Sequence, residues 1–168
     1  EGRLGVVHQL LAGGASVHHP NADTHTPLQV ASEGGHADVV DALLAAGADP
    51  KYSDAVGDTA LHFASATLGE PSVRTVVLLI DEGAEIDARS GDGTTPLMWA
   101  AAFGNVLTVK SLLAHGADPA IVDWGGRDAA GSVCRCLASR GRPLLLQCPA
   151  GGCEEPGKAE VLRELLRR

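Results

Sequence analysis

Residues Thr95 to Gly116 read TPLMWAAAFGNVLTVKSLLAHG, and their pattern returns along most of the chain. Thr95 is placed to accept a hydrogen bond from an unpaired N–H at a helix start. Pro96 follows at the first helical position, where its fixed φ helps and its missing N–H costs nothing. Leu97, Trp99, Ala100 and Ala101 predict a short, mostly apolar inner helix whose small residues admit a close neighbour, and Gly104 ends it in a left-handed cap. Val106, Val109, Leu112 and Leu113 then form one apolar face of a second, outer helix that Gly116 closes. The unit is a helical hairpin.

Laid on Thr26, the template reads TPLQVASEGGHADVVDALLAAG and ends at Gly47. A third copy opens at Thr59 with TALHFAS and closes at Gly83. The spacing is 33 positions from Thr26 to Thr59 and 36 from Thr59 to Thr95, so three extra residues fall near Leu68 to Pro71, between the helices of the third copy. A period of about 33 residues with a T-P-L-H-x-A start marks one known repeat class, and the chain resembles the ankyrin repeat family. The copies share the capping Thr, the inner-helix Leu and Ala, and the apolar pairs Leu43/Leu44, Leu79/Ile80 and Leu112/Leu113. Gln29 and Met98 stand where the third copy has His62, a departure that puts the family's polar link between neighbouring repeats in doubt at those two joints.

The resemblance implies an all-α solenoid of stacked helical hairpins with projecting finger turns, about five repeats in one domain over 1–168. The first is truncated. Residues 1–25 form a partial repeat 1, in which Val6, Val7, Leu10 and Leu11 fall on Val39, Val40, Leu43 and Leu44 with no inner helix ahead of them. With no starting Met, this reads as a piece of a longer or processed protein with a natural cap upstream. Repeats 2, 3 and 4 occupy 26–58, 59–94 and 95–127. Residues 128–168 form an irregular capping repeat: Asp128 takes the place of the capping Thr, Val133 to Leu137 finish an inner helix, and an insertion spans about 138–157. The stretch 159–167 then falls on the outer helix of repeat 2. The competing reading of 138–168 is a disordered tail ending in a loose amphipathic helix, because its Pro and Gly content breaks helical periodicity.

Aromatic residues are only five of 168, so Ala and Leu must make the core, which suits thin helices that bury their faces against neighbouring repeats. No stretch has 18 uninterrupted apolar residues and no secretory signal opens the chain, which points to a soluble protein of the cytoplasm or nucleus. Residues 1–126 carry 5 Lys and Arg against 16 Asp and Glu, and residues 127–168 carry 8 against 5. An acidic array argues against nucleic acid and for a protein partner with a basic or mixed basic and apolar segment, though an acidic surface also serves solubility alone. A monomer without membrane contact is expected.

Ankyrin-like proteins usually bind through fingers and exposed inner-helix positions. Here those positions hold Asp23, His25, Glu33, Val56, Asp58, Asp92, Phe103, Trp124 and Arg127, the candidate contacts. Phe103 and Trp124 are the expected anchors, and the acids would steer and select rather than hold. Trp124 alternatively packs beneath the inserted loop, whereas Trp99 is expected to face the core. Four cysteines, Cys134, Cys136, Cys148 and Cys153, have the donor number for zinc but not a standard knuckle spacing, and the first two also read as small core residues. No metal, cofactor or catalytic residue is assigned: Walker, dinucleotide-glycine and G-x-S-x-G patterns are absent. The expectation is a binding module and not an enzyme. The alternatives are a regulatory or targeting part of a larger enzyme or ubiquitin ligase adaptor, and a structural spacer.

Overall fold

The computed structural model describes residues 2–133 and 156–165. Within them the chain forms α1 (Gly2–Ala12), α2 (Pro27–Glu33), α3 (Ala37–Ala45), α4 (Ala60–Ala66), α5 (Glu70–Asp81), α6 (Pro96–Ala102), α7 (Val106–Ala114), α8 (Ala129–Ser132) and α9 (Pro156–Leu165). Inner helices α2, α4, α6 and α8 stack on one another, and outer helices α1, α3, α5, α7 and α9 stack behind them. No strand occurs among the described residues. The four cysteines and most of the expected insertion lie outside them, as does the inner-helix stretch from Cys134 to Leu137.

Each inner helix starts as its sequence dictates. Thr26 and Thr95 accept hydrogen bonds from the backbone N–H of Gln29 and Met98, and Asp128 accepts one from Gly131 at 2.7 Å. The three extra residues of the third copy lengthen its outer helix, α5, which runs 12 residues where α3 and α7 run nine, with Gly69 ahead of it and Pro71 in its first turn. Core leucines recur at one position per inner helix, Leu28, Leu61 and Leu97, and at one per outer helix, Leu43, Leu79 and Leu112. Each such side chain contributes about 1.5–3 kcal/mol when fully buried. α9 closes the far end by burying Val161 and Leu165 against α6, α7 and α8.

Polar side chains cross the joints between repeats. His62 takes the Thr59 N–H on Nδ1 at 3.2 Å, which leaves the proton on Nε2 to be donated to the Thr94 carbonyl at 3.1 Å. Gln29 does the same work one repeat earlier: its Oε1 accepts from the Thr26 N–H and its Nε2 donates to the Asp58 carbonyl, both at 2.8 Å. The link expected to fail at Gln29 therefore forms, because an amide, like imidazole, offers an acceptor and a donor. At Met98 it cannot form, since a thioether has no proton to donate. Asn105 adds a second tie between repeats 3 and 4 by donating to the Thr67 carbonyl at 2.6 Å.

The fingers share one turn. In three of the four fingers the residue five before the helix cap, Asn21, Asp54 or Asp123, accepts from two backbone N–H groups, as the Asp54 carboxylate does from Val56 and Asp58 at 2.9 Å; in the other, Ser90 stands there and the Asp92 carboxylate takes the Thr94 N–H. Two residues before each cap the backbone is left-handed: Gly57, Gly93 and Gly126 supply this without strain, but the first finger has Thr24 at φ 68°. A β-branched residue there is costly.

Two stability changes follow. Thr24→Gly gains about 1 kcal/mol by removing the left-handed penalty, read as a higher urea midpoint. His62→Ala loses about 2–3 kcal/mol and Gln29→Ala about 1–2 kcal/mol, since each strands buried backbone groups on both sides of a joint. The same denaturation curves check the order.

Candidate protein-binding surface

The expected contact residues fall in the fingers and at the inner-helix ends. Four positions before the helix cap stands Trp124; three before it stand Asp23, Val56 and Asp92; one before it stand His25, Asp58 and Arg127; Glu33 and Phe103 sit at the ends of α2 and α6. The structure separates them by exposure. Asp23, Glu33, Val56, Trp124 and Arg127 are exposed, His25, Asp92 and Phe103 are half-buried, and Asp58 is only 3% exposed.

Asp58 therefore does not present its side chain as expected. Its N–H is donated to the Asp54 carboxylate and its carbonyl accepts from both Asp54 N–H and the Gln29 amide, so the residue is drawn into the joint between repeats 2 and 3. Thr94, at the same register, is buried for the same reason beneath His62. At the two ends of the array the register opens. The His25 ring lies 4.9 Å from that of Phe63, with Nε2 3.5 Å from the buried Asp54 carboxylate. Arg127 pairs with Asp123 at 3.0 Å.

Trp124 is 70% exposed yet fixed in place. Its backbone N–H is donated to the Asp92 carbonyl at 3.1 Å and its indole N–H to the Gly91 carbonyl at 3.2 Å. The ring lies so close over Gly93 that a Cβ there would sit 2.8 Å from it. The Arg89 guanidinium stands 4.8 Å from the ring centroid and reaches the Val122 carbonyl at 3.0 Å. Sequence reasoning missed Arg89; the available signal was its place at the root of a finger, where a long cation reaches the next one. Val56 is tied in similarly, its carbonyl accepting from Gly91 N–H at 2.8 Å. Trp99 departs from its expected core position: half-buried, it donates its indole N–H to Thr94 Oγ1 at 3.0 Å and meets His62 and Phe63 edge-on.

Two carboxylates on the fingers are shifted in opposite directions. Burial pushes the Asp87 carboxyl up, the Asp118 N–H it accepts partly offsets this, and the charges of Asp118 and Glu85 add to the rise. Burial also pushes Asp123 up, but the N–H and guanidinium of Arg127 and the Gly125 N–H outweigh it and hold the carboxyl below its ordinary value. The folded state thus binds the Asp87 proton more readily than the unfolded chain, and this site's contribution to stability grows as pH falls through its raised range. For Asp123 the contribution is present above the unfolded value of about 3.9 and lost as pH drops through the lower folded value. Asp87→Asn should raise the melting temperature at pH 7, with the gain fading in acid, while Asp123→Asn lowers it at pH 7 and its deficit shrinks below about pH 4. Melting curves against pH check both signs.

Comparison with known proteins agrees with this geometry. The family model described as "Ankyrin repeats (3 copies)" matches residues 1–89, and that of a single "Ankyrin repeat" matches residues 92–124. A palmitoyltransferase AKR1 of Lachancea kluyveri is 34% identical over 129 residues, which is 74% of this chain and 17% of that protein. The ankyrin repeat and KH domain-containing protein mask-1 of Caenorhabditis elegans is 38% identical over 125 residues, 73% of this chain and 5% of the relative. Human neurogenic locus notch homolog protein 4 is 39% identical over 113 residues, 65% of this chain and again 5% of the relative. The chain thus spans between a twentieth and about a sixth of the length of these relatives. Among the described residues no helix is long and apolar enough to cross a membrane. From the all-helical stack of hairpins and the two family matches, the chain belongs to the ankyrin repeat family, whose repeats generally serve as protein–protein interaction modules.

Proposed function

We propose that this chain recognises another protein through its fingers and the adjoining ends of its inner helices, with Trp124 as the principal anchor. The observation that carries the reading is the indole itself: well exposed, and held by Gly91, Asp92, Gly93 and Arg89 before any partner arrives. An exposed aromatic already fixed in one pose spends little ordering entropy on binding. Phe103 and Val56 extend the apolar contact. Asp23, Glu33 and Asp92 set an acidic polarity that selects a basic or mixed basic and apolar segment, and His25 and Arg127 mark its two ends. Asp58 serves by holding a joint and makes no contact.

A second reading is favoured by one relative. The palmitoyltransferase carries a segment similar to this chain within a much longer protein. In that setting the same surface would position a partner or substrate for a catalytic domain elsewhere in the polypeptide.

Affinity capture with quantitative mass spectrometry tests the main reading. Wild type, Trp124→Ala, Phe103→Ala and an outer-face control, Asp41→Ala, are compared after circular dichroism shows equal helicity. Trp124→Ala should reduce retention of the captured protein by about 30-fold, corresponding to about 2 kcal/mol, and Asp41→Ala should leave it unchanged. Equal retention by wild type and all three variants would place the partner elsewhere.

A further inference from the structure

Two residues at the joint between the last two fingers exceed what that joint requires. Arg89 stands six positions before its helix cap, where the other fingers have Pro20, Ser53 and Val122. Trp124 stands four before its cap, where they have Ala22, Ala55 and Gly91. The finger contact here, Trp124 N–H to the Asp92 carbonyl, has its counterpart one joint earlier in Gly91 N–H to the Val56 carbonyl. There Ser53 and Gly91 fill the two registers, so the contact needs neither a guanidinium nor an indole.

What the pair adds is a fixed charge beside an apolar ring. Arg89 is exposed, and its guanidinium is held by the Val122 carbonyl at 3.0 Å, the Gly93 carbonyl at 3.5 Å and the Trp124 ring at 4.8 Å. The guanidinium carries more N–H donors than those bonds use. No carboxylate of the described residues pairs with it. Nearby charges are already engaged: Asp123 holds Arg127 through Nε and Nη2, both at 3.0 Å, and the Asp92 carboxylate accepts from Ser90 and Thr94. Trp124 in turn uses both of its N–H groups inside the molecule, on Gly91 and Asp92, so only its ring is offered.

We infer that Arg89 and Trp124 form a site for an acidic residue with an apolar neighbour in the partner protein, the carboxylate meeting the guanidinium and the apolar side chain lying on the indole. A guanidinium presents a planar fork of donors that matches a carboxylate, and one already held in place has less freedom to lose on binding. Residues 1–126 carry 16 Asp and Glu against 5 Lys and Arg, so an acid on the partner is repelled along most of the array and accepted here. The inference rests on the proposed role of the fingers as the binding surface and gives the partner a direction. Its acidic end lies at Trp124 and its basic end toward Asp23 and Glu33.

The test titrates the acetylated and amidated peptide ALEA, and its variants ALQA and ALKA, into the whole chain and follows the nuclear magnetic resonance signals of the Trp124 indole and the Gly93 amide. ALEA should bind about fivefold more tightly than ALQA, the increment of one well-placed exposed ion pair, and ALKA more weakly than either. High salt should shrink the preference, because the pair is exposed. Arg89→Gln should remove the preference for ALEA over ALQA; the wild-type comparison decides by itself if that variant does not fold. Trp124→Ala, followed at Gly93, should weaken all three peptides alike. Equal binding of ALEA and ALQA by wild type, tightest binding of ALKA, or no response to any peptide at millimolar concentration would overturn the inference. If the peptides bind equally and Trp124→Ala still weakens them, only the acidic preference falls and the anchor stands. Undiminished binding of ALEA by Trp124→Ala would overturn the anchor reading and this site with it.

Discussion

Every element of this molecule depends on one contact: an inner helix laid flat on the next, close enough that a side chain of one reaches the backbone just ahead of the other's cap. Alanine at 31, 64, 100 and 101 permits that approach. His62 and Gln29 exploit it, each answering the backbone N–H of its own helix cap and the carbonyl of the residue just ahead of the next cap. Apolar stacking supplies most of the energy, since the leucine columns are nearly solvent-free, but it is non-directional. The crossing hydrogen bonds fix the distance and rotation between repeats, and with them where each finger points.

The exposed surface of the fingers is a by-product of that constraint. Drawing the residue before the caps of α4 and α6 into the joint buries Asp58 and Thr94, so the finger side chains left exposed are those the joint does not use, such as Asp23, Val56 and Trp124. Three of the four finger turns are stiff because an Asn or Asp at their root satisfies two N–H groups that would otherwise need water. Fingers then lean on their neighbours through the Gly91–Val56 and Trp124–Asp92 backbone bonds. An array built from short local hairpins thus presents a surface whose geometry is settled before binding.

How far the residues alone foretold this depends on which force acted at each position. Thr26, Thr59, Thr95 and Asp128 cap helices through local chemistry, and local chemistry is visible in a string of letters. The leucine columns were equally legible from their spacing. Asp58 was misjudged because a carboxylate reads as exposed until the Gln29 amide, 29 residues away in sequence, is known to seize its carbonyl. Gln29 was undervalued because comparison with His62 weighed identity and overlooked that both groups pair a donor with an acceptor. Arg89 escaped notice since cation–π stacking on Trp124 depends on two fingers meeting, 35 residues apart. Long-range partners are set by the stack and cannot be read from one repeat.

The joint between repeats 4 and 5 shows how the two layers of interaction compensate. Met98 is buried but cannot donate, so no side chain fastens α6 to the Arg127 carbonyl in the way His62 fastens α4 to Thr94. At the same joint the fingers are bound most closely: the Trp124 ring on Gly93, its N–H groups on Gly91 and Asp92, and Arg89 reaching across to Val122. Registry lost in the core is thereby restored at the rim. The residue that restores it is also the largest exposed apolar group of the described surface, so Trp124 cannot be treated as a contact alone. The ring that aligns the last finger is thus also the one left open to solvent, at the joint where the core is least specifically fastened.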